Sequence, residues 1–212
     1  MTDRRSVAVV LFDGFELLDV FGPVELLAAA PELFELRFLG PTRDLVRSSQ
    51  GIAVTVTDAY SDAAPADIVL VPGGIGTRRL AEDPGFLDWL RTFGLSASLV
   101  TSVCTGSGLL AAAGLLDGRR ATSNKLAFDW SASRSDRVDW QRQARWVEDG
   151  DRWTSSGVAA GMDMTAALIR HLHGDEVADR ITTHVELEVQ RDPARDPFAL
   201  VHRSATAAPT AD

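Results

Sequence analysis

"LVTSVCTGSGLLAAAGLL", residues 99–116, decides the fold prediction because its character changes at Cys104. The part before it, LVTSV, is an apolar and β-branched run without helical period, which predicts a buried strand. The part after it is rich in small residues and leucine and predicts a helix. Cys104 is the only cysteine of the chain. A residue between a buried strand and the following helix lies at the carboxyl edge of the sheet, where open α/β folds bind their ligands.

The residues after Cys104 favour a reactive thiol. Small side chains at 105–108 allow a sharp strand-to-helix turn of the kind that presents a nucleophile. The start of the helix directs free N–H groups and the positive end of the helix dipole towards the sulfur, which favours the thiolate. Cysteines in proteins are also commonly buried and inert, so the spacing alone leaves a reactive and an inert Cys104 both open.

The rest of the chain alternates between predicted strands and helices. Strands are predicted at 6–12, 34–40, 66–71, 98–103, 138–140, 144–149 and 152–156, with a small hairpin across Gln50-Gly51 and a turn at 149–151. Helices are predicted at 16–30, with Pro23 starting its main part, and at 84–93, 125–132, 161–173 and 175–189. Strands that alternate with helices predict a mostly parallel sheet covered on both faces.

Length and composition predict one cytoplasmic domain. The chain has 212 residues, 45% of them hydrophobic, which suits a single core. Its net charge of -9 argues against nucleic acid or an anionic membrane as a partner. A single cysteine allows no internal disulfide and fits a reducing compartment, and the apolar run before Asp13 is too short for a signal peptide or a membrane span. We expect the domain over residues 1–202, no room for a helix-turn-helix unit, and a frayed tail at 203–212.

A glycine-rich turn follows another predicted buried strand. Pro72-Gly73-Gly74 therefore reaches the same sheet edge as Cys104. Glycines there allow close approach of the backbone and can present N–H groups to a developing anion. No Gly-Lys-Ser/Thr sequence follows, and the pattern is not a dinucleotide fingerprint, so it predicts no nucleotide site. A plain tight turn is the alternative.

Candidate acids and bases are few. Asp19 stands among apolar neighbours in "FELLDVFGP", where an acid either caps the helix or is held at a site. The histidines follow no predicted strand and are interpreted as cap, surface or core residues: His171, His173, His184 and His202. No spacing of histidine or cysteine suggests zinc, so no metal is expected.

Three of these stretches together resemble the DJ-1/PfpI superfamily: LLD-x-x-GP after the first strand, PGG after a later strand, and VTSVCTGSGLLAAAGLLDGRRAT. Within it the chain looks most like the isonitrile (isocyanide) hydratases. The likeness runs from about Ser6 to Phe198, and GVAAGMDMTAALI adds a second region. It implies a flavodoxin-like three-layer α/β sandwich, usually a homodimer, that converts isocyanides to N-substituted formamides without a cofactor.

The resemblance also implies roles for individual residues. Cys104 would be the nucleophile at a strained elbow, and Asp19 the carboxylate that hydrogen-bonds its sulfur. Backbone N–H groups of Gly74, Ile75 and Thr105 would border an anion pocket. Two adjacent anions repel each other, so the sulfur and the carboxyl should share a proton and titrate as a unit.

One departure keeps alternatives open. Many relatives carry a histidine after "RRAT", where this chain has Ser123-Asn124-Lys125, so a Cys-His dyad is in doubt. Asn124 forms hydrogen bonds but cannot shuttle protons near neutral pH; contact with substrate and a helix cap are both open. The rival functions are another cysteine enzyme, acting on glyoxals or on glycated or amide groups, a redox sensor or chaperone, and the ligand-binding half of a transcription regulator.

Overall fold

The computed structural model describes residues 4–200, so His202 and the predicted tail at 203–212 lie outside the described residues. The strands are β1 (Arg5–Val10), β2 (Phe34–Gly40), β3 (Val46–Arg47), β4 (Ala53–Val54), β5 (Asp58–Ala59), β6 (Ile68–Val71), β7 (Leu99–Ser102), β8 (Arg120–Ala121), β9 (Asp139–Trp140), β10 (Trp146–Asp149) and β11 (Arg152–Ser155). The helices are α1 (Leu17–Ala28), α2 (Thr77–Leu80), α3 (Pro84–Leu95), α4 (Gly106–Ala112), α5 (Phe128–Ala132), α6 (Ala160–His173) and α7 (Asp175–His184).

A seven-stranded sheet in the order β10-β11-β7-β6-β1-β2-β5 forms the centre of the molecule. All neighbouring pairs are parallel except β10 and β11, which form an antiparallel edge hairpin. The register places Leu70 opposite both Val9 and Thr101. The prediction of a mostly parallel sheet is therefore confirmed.

Helices cover the sheet in two groups, which gives the three-layer sandwich expected from the resemblance. In one group α6 packs against α1 and α7, and in the other α4 packs against α2, α3 and α5. The central strand β6 is buried at every position, as a strand covered on both faces must be. No helix within residues 4–200 is long and apolar enough to cross a bilayer.

The first helix differs from the prediction. We expected its main part to start at Pro23, but α1 begins at Leu17 and continues through Pro23. A proline inside a helix removes one hydrogen bond, here to the carbonyl of Asp19. Close packing offsets this cost: a Cβ on Gly22 would lie 2.8 Å from Met162 Cγ of α6. The continuous helix places Asp19 in its first turn.

The last helix is shorter than predicted. The periodic pattern favoured a helix to residue 189, but α7 ends at His184. Glu186 adopts a left-handed φ of 53°, and the N–H of Leu187 turns back to the carbonyl of Thr182. Val185 and Leu187 pack against the core, so the chain buries these side chains without continuing the helix.

Candidate active site

Four neighbouring parallel strands end at the same edge of the sheet, and the segment after each contributes to one site. Asp19 follows β1, Gly73 follows β6, Cys104 follows β7 and Val158 follows β11. The backbone links these segments in pairs. The N–H of Glu16 donates to the carbonyl of Gly73 at 2.8 Å.

Cys104 lies in the sharp turn between β7 and α4 with a φ of 58°, a left-handed conformation that non-glycine residues seldom adopt. Its carbonyl accepts hydrogen bonds from the hydroxyls of Ser107 and Ser123, each at 3.0 Å. Its N–H donates to the carbonyl of Ser156 at 3.1 Å. Three hydrogen bonds thus hold the strained backbone of the turn that the small residues predicted.

Position 73 must be glycine because the segments after β6 and β7 approach each other closely there. A Cβ there would lie 2.6 Å from the nitrogen of Thr105, 2.7 Å from its Oγ1 and 2.8 Å from Cys104 Cβ. Gly106 is equally confined, because its Cβ would lie 2.2 Å from the carbonyl oxygen of Val71. The glycines of both motifs therefore let the segments after β6 and β7 touch.

Asp19 is completely buried, and its partner belongs to a neighbouring segment. Its Oδ2 accepts the N–H of Gly73 at 2.8 Å. Its Oδ1 is buried without a well-formed hydrogen bond to any residue in the described range, while the side chain of Cys104 is close enough to interact with the carboxyl. From the sequence, Asp19 could either cap the helix or be held at a functional site, and these contacts favour the functional site.

Burial raises the pKa of Asp19 from 3.8 to about 7. The hydrogen bond from Gly73 opposes this shift, and the negative charge of Glu16 adds to it. A carboxyl with a pKa near neutrality exchanges its proton readily at physiological pH, which is what a general acid and base requires.

Burial also raises the pKa of the Cys104 thiol above its ordinary value, and the Asp19 carboxylate raises it further. Hydrogen bonds from the N–H groups of Thr105 and Val158 and from the Thr105 hydroxyl lower it again without cancelling the rise. The helix start favours the thiolate, but desolvation of the sulfur outweighs the short helix α4 and favours the thiol. The Asp19 carboxyl, with its pKa of about 7, is the titratable group that interacts with the thiol.

Of the three residues expected to border an anion pocket, Gly74 and Thr105 contact each other next to Cys104, with one correction. The N–H of Gly74 donates to Thr105 Oγ1 at 3.1 Å, so this N–H is not free for an anion. The N–H of Thr105 hydrogen-bonds to the Cys104 sulfur. Ile75, which directly follows Gly74, is 68% exposed.

Asn124 lies in the turn before α5 and does not occupy the N-terminal cap of that helix, which is Ala127, so the predicted cap is wrong. Its Oδ1 accepts the N–H of Ala127 at 3.0 Å, in the turn before α5, which starts at Phe128 rather than near Lys125. Its Nδ2 faces the segment after β11, since a Cβ on Gly157 would lie 2.2 Å from it. Asn124, Val158 and Phe198 line a cavity of about 240 Å³ next to the site.

The described histidines make their contacts elsewhere. His171 Nδ1 lies 3.2 Å from Glu148 Oε1, His173 packs edge-on against Phe34, and His184 ends α7. No three His, Cys, Asp or Glu side chains cluster as a metal site between residues 4 and 200. Within the described residues, Asp19 is thus the carboxyl that interacts with the Cys104 side chain, and none of the described histidines is shown in contact with it.

Sequence reasoning missed Val158 and the pair Thr77 and Arg78. Val158 has a left-handed φ of 45° and directs its N–H to the Cys104 sulfur. A signal was present, because a strand parallel to β7 must end at the same sheet edge and bring its next residues to the site. Nothing in the sequence distinguished Thr77 and Arg78 from other residues at the start of a short helix.

The chain is similar to several known proteins. The DJ-1/PfpI family matches residues 5–171. The isonitrile hydratase of Pseudomonas putida is 34% identical over 186 residues, which cover 85% of this chain and 78% of that protein. The HTH-type transcriptional regulator CdhR of Pseudomonas aeruginosa is 30% identical over 82% of this chain. The matched region covers 52% of the length of that regulator. The crystal structure of a THiJ/PfpI family protein from Pseudomonas syringae superimposes with a TM-score of 0.81 at 27% identity, covering 96% of this chain and 85% of that one.

Proposed function

This chain belongs to the DJ-1/PfpI family, and on that premise we propose that it is an isocyanide hydratase, which converts R–NC and water to the N-substituted formamide. The observation that carries the proposal is the pair at the sheet edge: a strained Cys104 facing a buried Asp19 whose pKa is about 7. Similarity to the isonitrile hydratase of Pseudomonas putida favours this reaction within the family.

The first half of the reaction forms a covalent intermediate. Ionised Asp19 takes the proton of the Cys104 thiol, and the sulfur attacks the terminal carbon of the isocyanide. Protonated Asp19 then donates the same proton to that carbon. The product is a thioimidate, R–N=CH–S–Cys, and Asp19 is again ionised. This step needs one nucleophile and one group that gives and takes a proton.

The second half releases the formamide. Water adds to the thioimidate carbon while Asp19 accepts a proton from it and passes this proton to the nitrogen. Collapse of the tetrahedral adduct breaks the carbon–sulfur bond, leaves R–NH–CHO and returns one proton to the Cys104–Asp19 pair. Both hydrogens of the consumed water are accounted for, because the formamide gains one at carbon and one at nitrogen.

The activity should depend on pH through Asp19. Because the reactive form needs an ionised carboxyl to accept the thiol proton, kcat/KM should rise about tenfold per pH unit below a pKa of about 7 and level off above it. Initial rates with a subsaturating aryl isocyanide, measured from about pH 5 to 9, give the profile. A flat profile, or an inflection near neutrality that persists in Asp19→Asn, would contradict this role for the carboxyl.

The reaction is neither an oxidation nor a reduction, so we propose that the enzyme works without a redox cofactor. A free catalytic thiol is preserved best in a reducing compartment, and we therefore propose a cytoplasmic location. Asn124 and Phe198 border the cavity next to the pair, and we assign the group on the isocyanide nitrogen to this cavity.

A ligand-binding role without turnover is the second candidate, because a transcription regulator matches most of this chain at 30% identity. Such a role needs a pocket but no acid-base pair. The raised pKa of Asp19 favours the enzyme, since a carboxylate that served only structure would gain nothing from complete desolvation. Binding of an isocyanide without release of formamide would favour the second candidate.

We propose that the protein is a homodimer that uses the exposed apolar face of α1. Leu17, Leu18 and Phe21 line a shallow depression of about 270 Å³ with Glu16 and Gln50. Light scattering at micromolar concentration should give twice the chain mass of 22.8 kDa. Leu18→Glu should shift the mass towards the monomer, whereas Leu95→Glu, at an exposed leucine of α3, should not. A wild-type mass of 22.8 kDa would contradict the dimer.

A further inference from the structure

A chain of hydrogen bonds connects α2 with the elbow of Cys104. Arg78 Nη1 donates to Thr77 Oγ1 at 2.9 Å. The Thr77 hydroxyl donates to the carbonyl of Gly74 at 2.7 Å and also lies 3.2 Å from Thr105 Oγ1. Thr77 is completely buried, so water does not compete for these bonds. We call this chain, from Arg78 to Thr105, the relay.

The inner part of the relay, from Gly74 to Thr105, is directed towards the sulfur. The N–H of Gly74 donates to Thr105 Oγ1 at 3.1 Å, so this oxygen acts as an acceptor and its own hydrogen is free to point elsewhere. The carbonyl of Gly74 is 3.5 Å away, at the limit of a hydrogen bond, and the Thr105 hydroxyl instead bonds to the Cys104 sulfur. The N–H of Gly74 and the hydroxyl of Thr105 therefore point in turn towards the sulfur. The hydroxyl of Thr77, held by Arg78, gives its single hydrogen to the carbonyl of Gly74 and so fixes the residue whose N–H polarises Thr105.

Packing fixes the guanidinium at the outer end of the relay. It lies 3.6 Å from the centroid of the Trp130 ring. The indole itself lies against α4 at Gly108, where a Cβ would come within 2.6 Å of Trp130 Cζ3. The stack of helix, indole and guanidinium therefore orients Arg78 towards Thr77.

The charge of Arg78 is not neutralised by an acid. In the part of the chain that the structure describes, Arg78 forms no salt bridge, whereas Arg134 on the same indole pairs with Glu82 at 2.8 Å. A half-buried guanidinium without a carboxylate partner is costly unless its charge serves another group.

We propose that Arg78 is a positioning residue that stabilises the negative charge on the Cys104 sulfur through the relay. The inference rests on the nucleophilic role proposed for Cys104.

The other charges near the two groups are few. Asp19 faces Cys104 from α1 and disfavours the thiolate, with Glu16 behind it, and Arg134 faces Arg78 from the end of α5. Burial lowers the pKa of Arg78, and the negative charge of Cys104 opposes that change. Sulfur and guanidinium thus favour each other's charged forms, so the relay counteracts the Asp19 carboxylate, which disfavours the thiolate.

Alkylation by iodoacetamide tests the inference, because its rate at a pH below the thiol pKa is proportional to the thiolate fraction. The chain has one cysteine, so mass spectrometry reports this site alone. Arg78→Gln should slow alkylation about threefold to tenfold at about pH 7.5, and Arg78→Lys should recover most of the rate. Arg79→Gln removes the same charge from the exposed neighbouring residue and should stay within about twofold of wild type.

A second pair of variants interrupts the relay while keeping the charge. Thr77→Val removes the hydroxyl and should slow alkylation nearly as much as Arg78→Gln, whereas Thr77→Ser keeps the hydroxyl and should alkylate at close to the wild-type rate. Melting curves verify that each variant is folded. The readout uses no isocyanide, so it stands or fails independently of the hydratase assay.

Two results would overturn the inference. The first is an Arg78→Gln or Thr77→Val protein that alkylates at the wild-type rate. The second is an Arg79→Gln protein that is slowed as much as Arg78→Gln, because the effect would then be a general loss of positive charge and not the relay.

Discussion

Replacing Cys104 with alanine or serine is expected to lower isocyanide hydration at least about 1,000-fold while the fold stays intact. Alanine removes the atom that attacks the isocyanide carbon, and the serine hydroxyl has a much higher pKa than the thiol, so Asp19 cannot deprotonate it. Both residues are small enough for the buried turn, so no large cavity or clash results.

Formamide production by each purified variant, with its melting temperature, tests this expectation. Ser102→Ala is a matched control, because it removes a buried hydroxyl without a hydrogen-bond partner among residues 4–200 and lies two residues before Cys104 in β7. It should hydrate isocyanides at close to the wild-type rate. A Cys104→Ala protein within a few-fold of wild type would show that the reaction does not pass through this sulfur.

Asp19→Asn is expected to lower turnover about 100- to 10,000-fold, the usual contribution of general acid–base catalysis. Asparagine keeps the size of the side chain and can still accept the N–H of Gly73, but it cannot take the thiol proton or deliver it to carbon. Asp19→Glu keeps the acid and should retain more activity if the pocket accommodates one more methylene. Glu25→Gln is the control, since it removes an exposed carboxylate from the same helix and should leave the rate unchanged.

Asp19→Asn should also stabilise the protein at alkaline pH. The pKa of Asp19 is about 7 in the fold and 3.8 ordinarily, so the fold favours the neutral carboxyl. The stability that comes from burying the neutral carboxyl is present below about pH 4 and is lost as pH rises to about 7. There the buried carboxylate lowers the free energy of unfolding by on the order of 1–4 kcal/mol. Urea unfolding at about pH 8 should show a larger free energy of unfolding for Asp19→Asn than for wild type, with no difference near pH 4.

The combination of lost rate and gained stability is what distinguishes a catalytic carboxyl from a helix cap. Loss of a cap costs roughly 1 kcal/mol and leaves the chemistry unaffected. An Asp19→Asn protein that was fully active and less stable than wild type would therefore show that Asp19 serves only the fold.

The sheet and the position of Cys104 in it could be predicted from the sequence because both depend on local patterns. An apolar run followed by small residues determines where β7 ends and α4 begins, and the parallel neighbours follow from the alternation of strands and helices. The path of α1 through Pro23 could not be predicted, because it depends on the contact between Gly22 and Met162, which are far apart in sequence.

The protonation states of Cys104 and Asp19 also could not be predicted from the sequence. A helix start after Cys104 favours a thiolate, and only the complete burial of Asp19 and near-complete burial of Cys104 show that desolvation dominates. Arg78 was missed for a similar reason. Its connection to the sulfur passes through the folded positions of Thr77 and Thr105, which no spacing along the chain reveals.

Incubation of the purified protein with a simple aryl isocyanide, with the formamide followed by chromatography, tests the hydratase assignment most directly. Our account predicts many turnovers to the N-aryl formamide by the wild-type protein and none above buffer by Cys104→Ala. No formamide above buffer from the wild-type protein, together with rapid removal of methylglyoxal, would contradict it and assign the Cys104–Asp19 pair to a different reaction of the family.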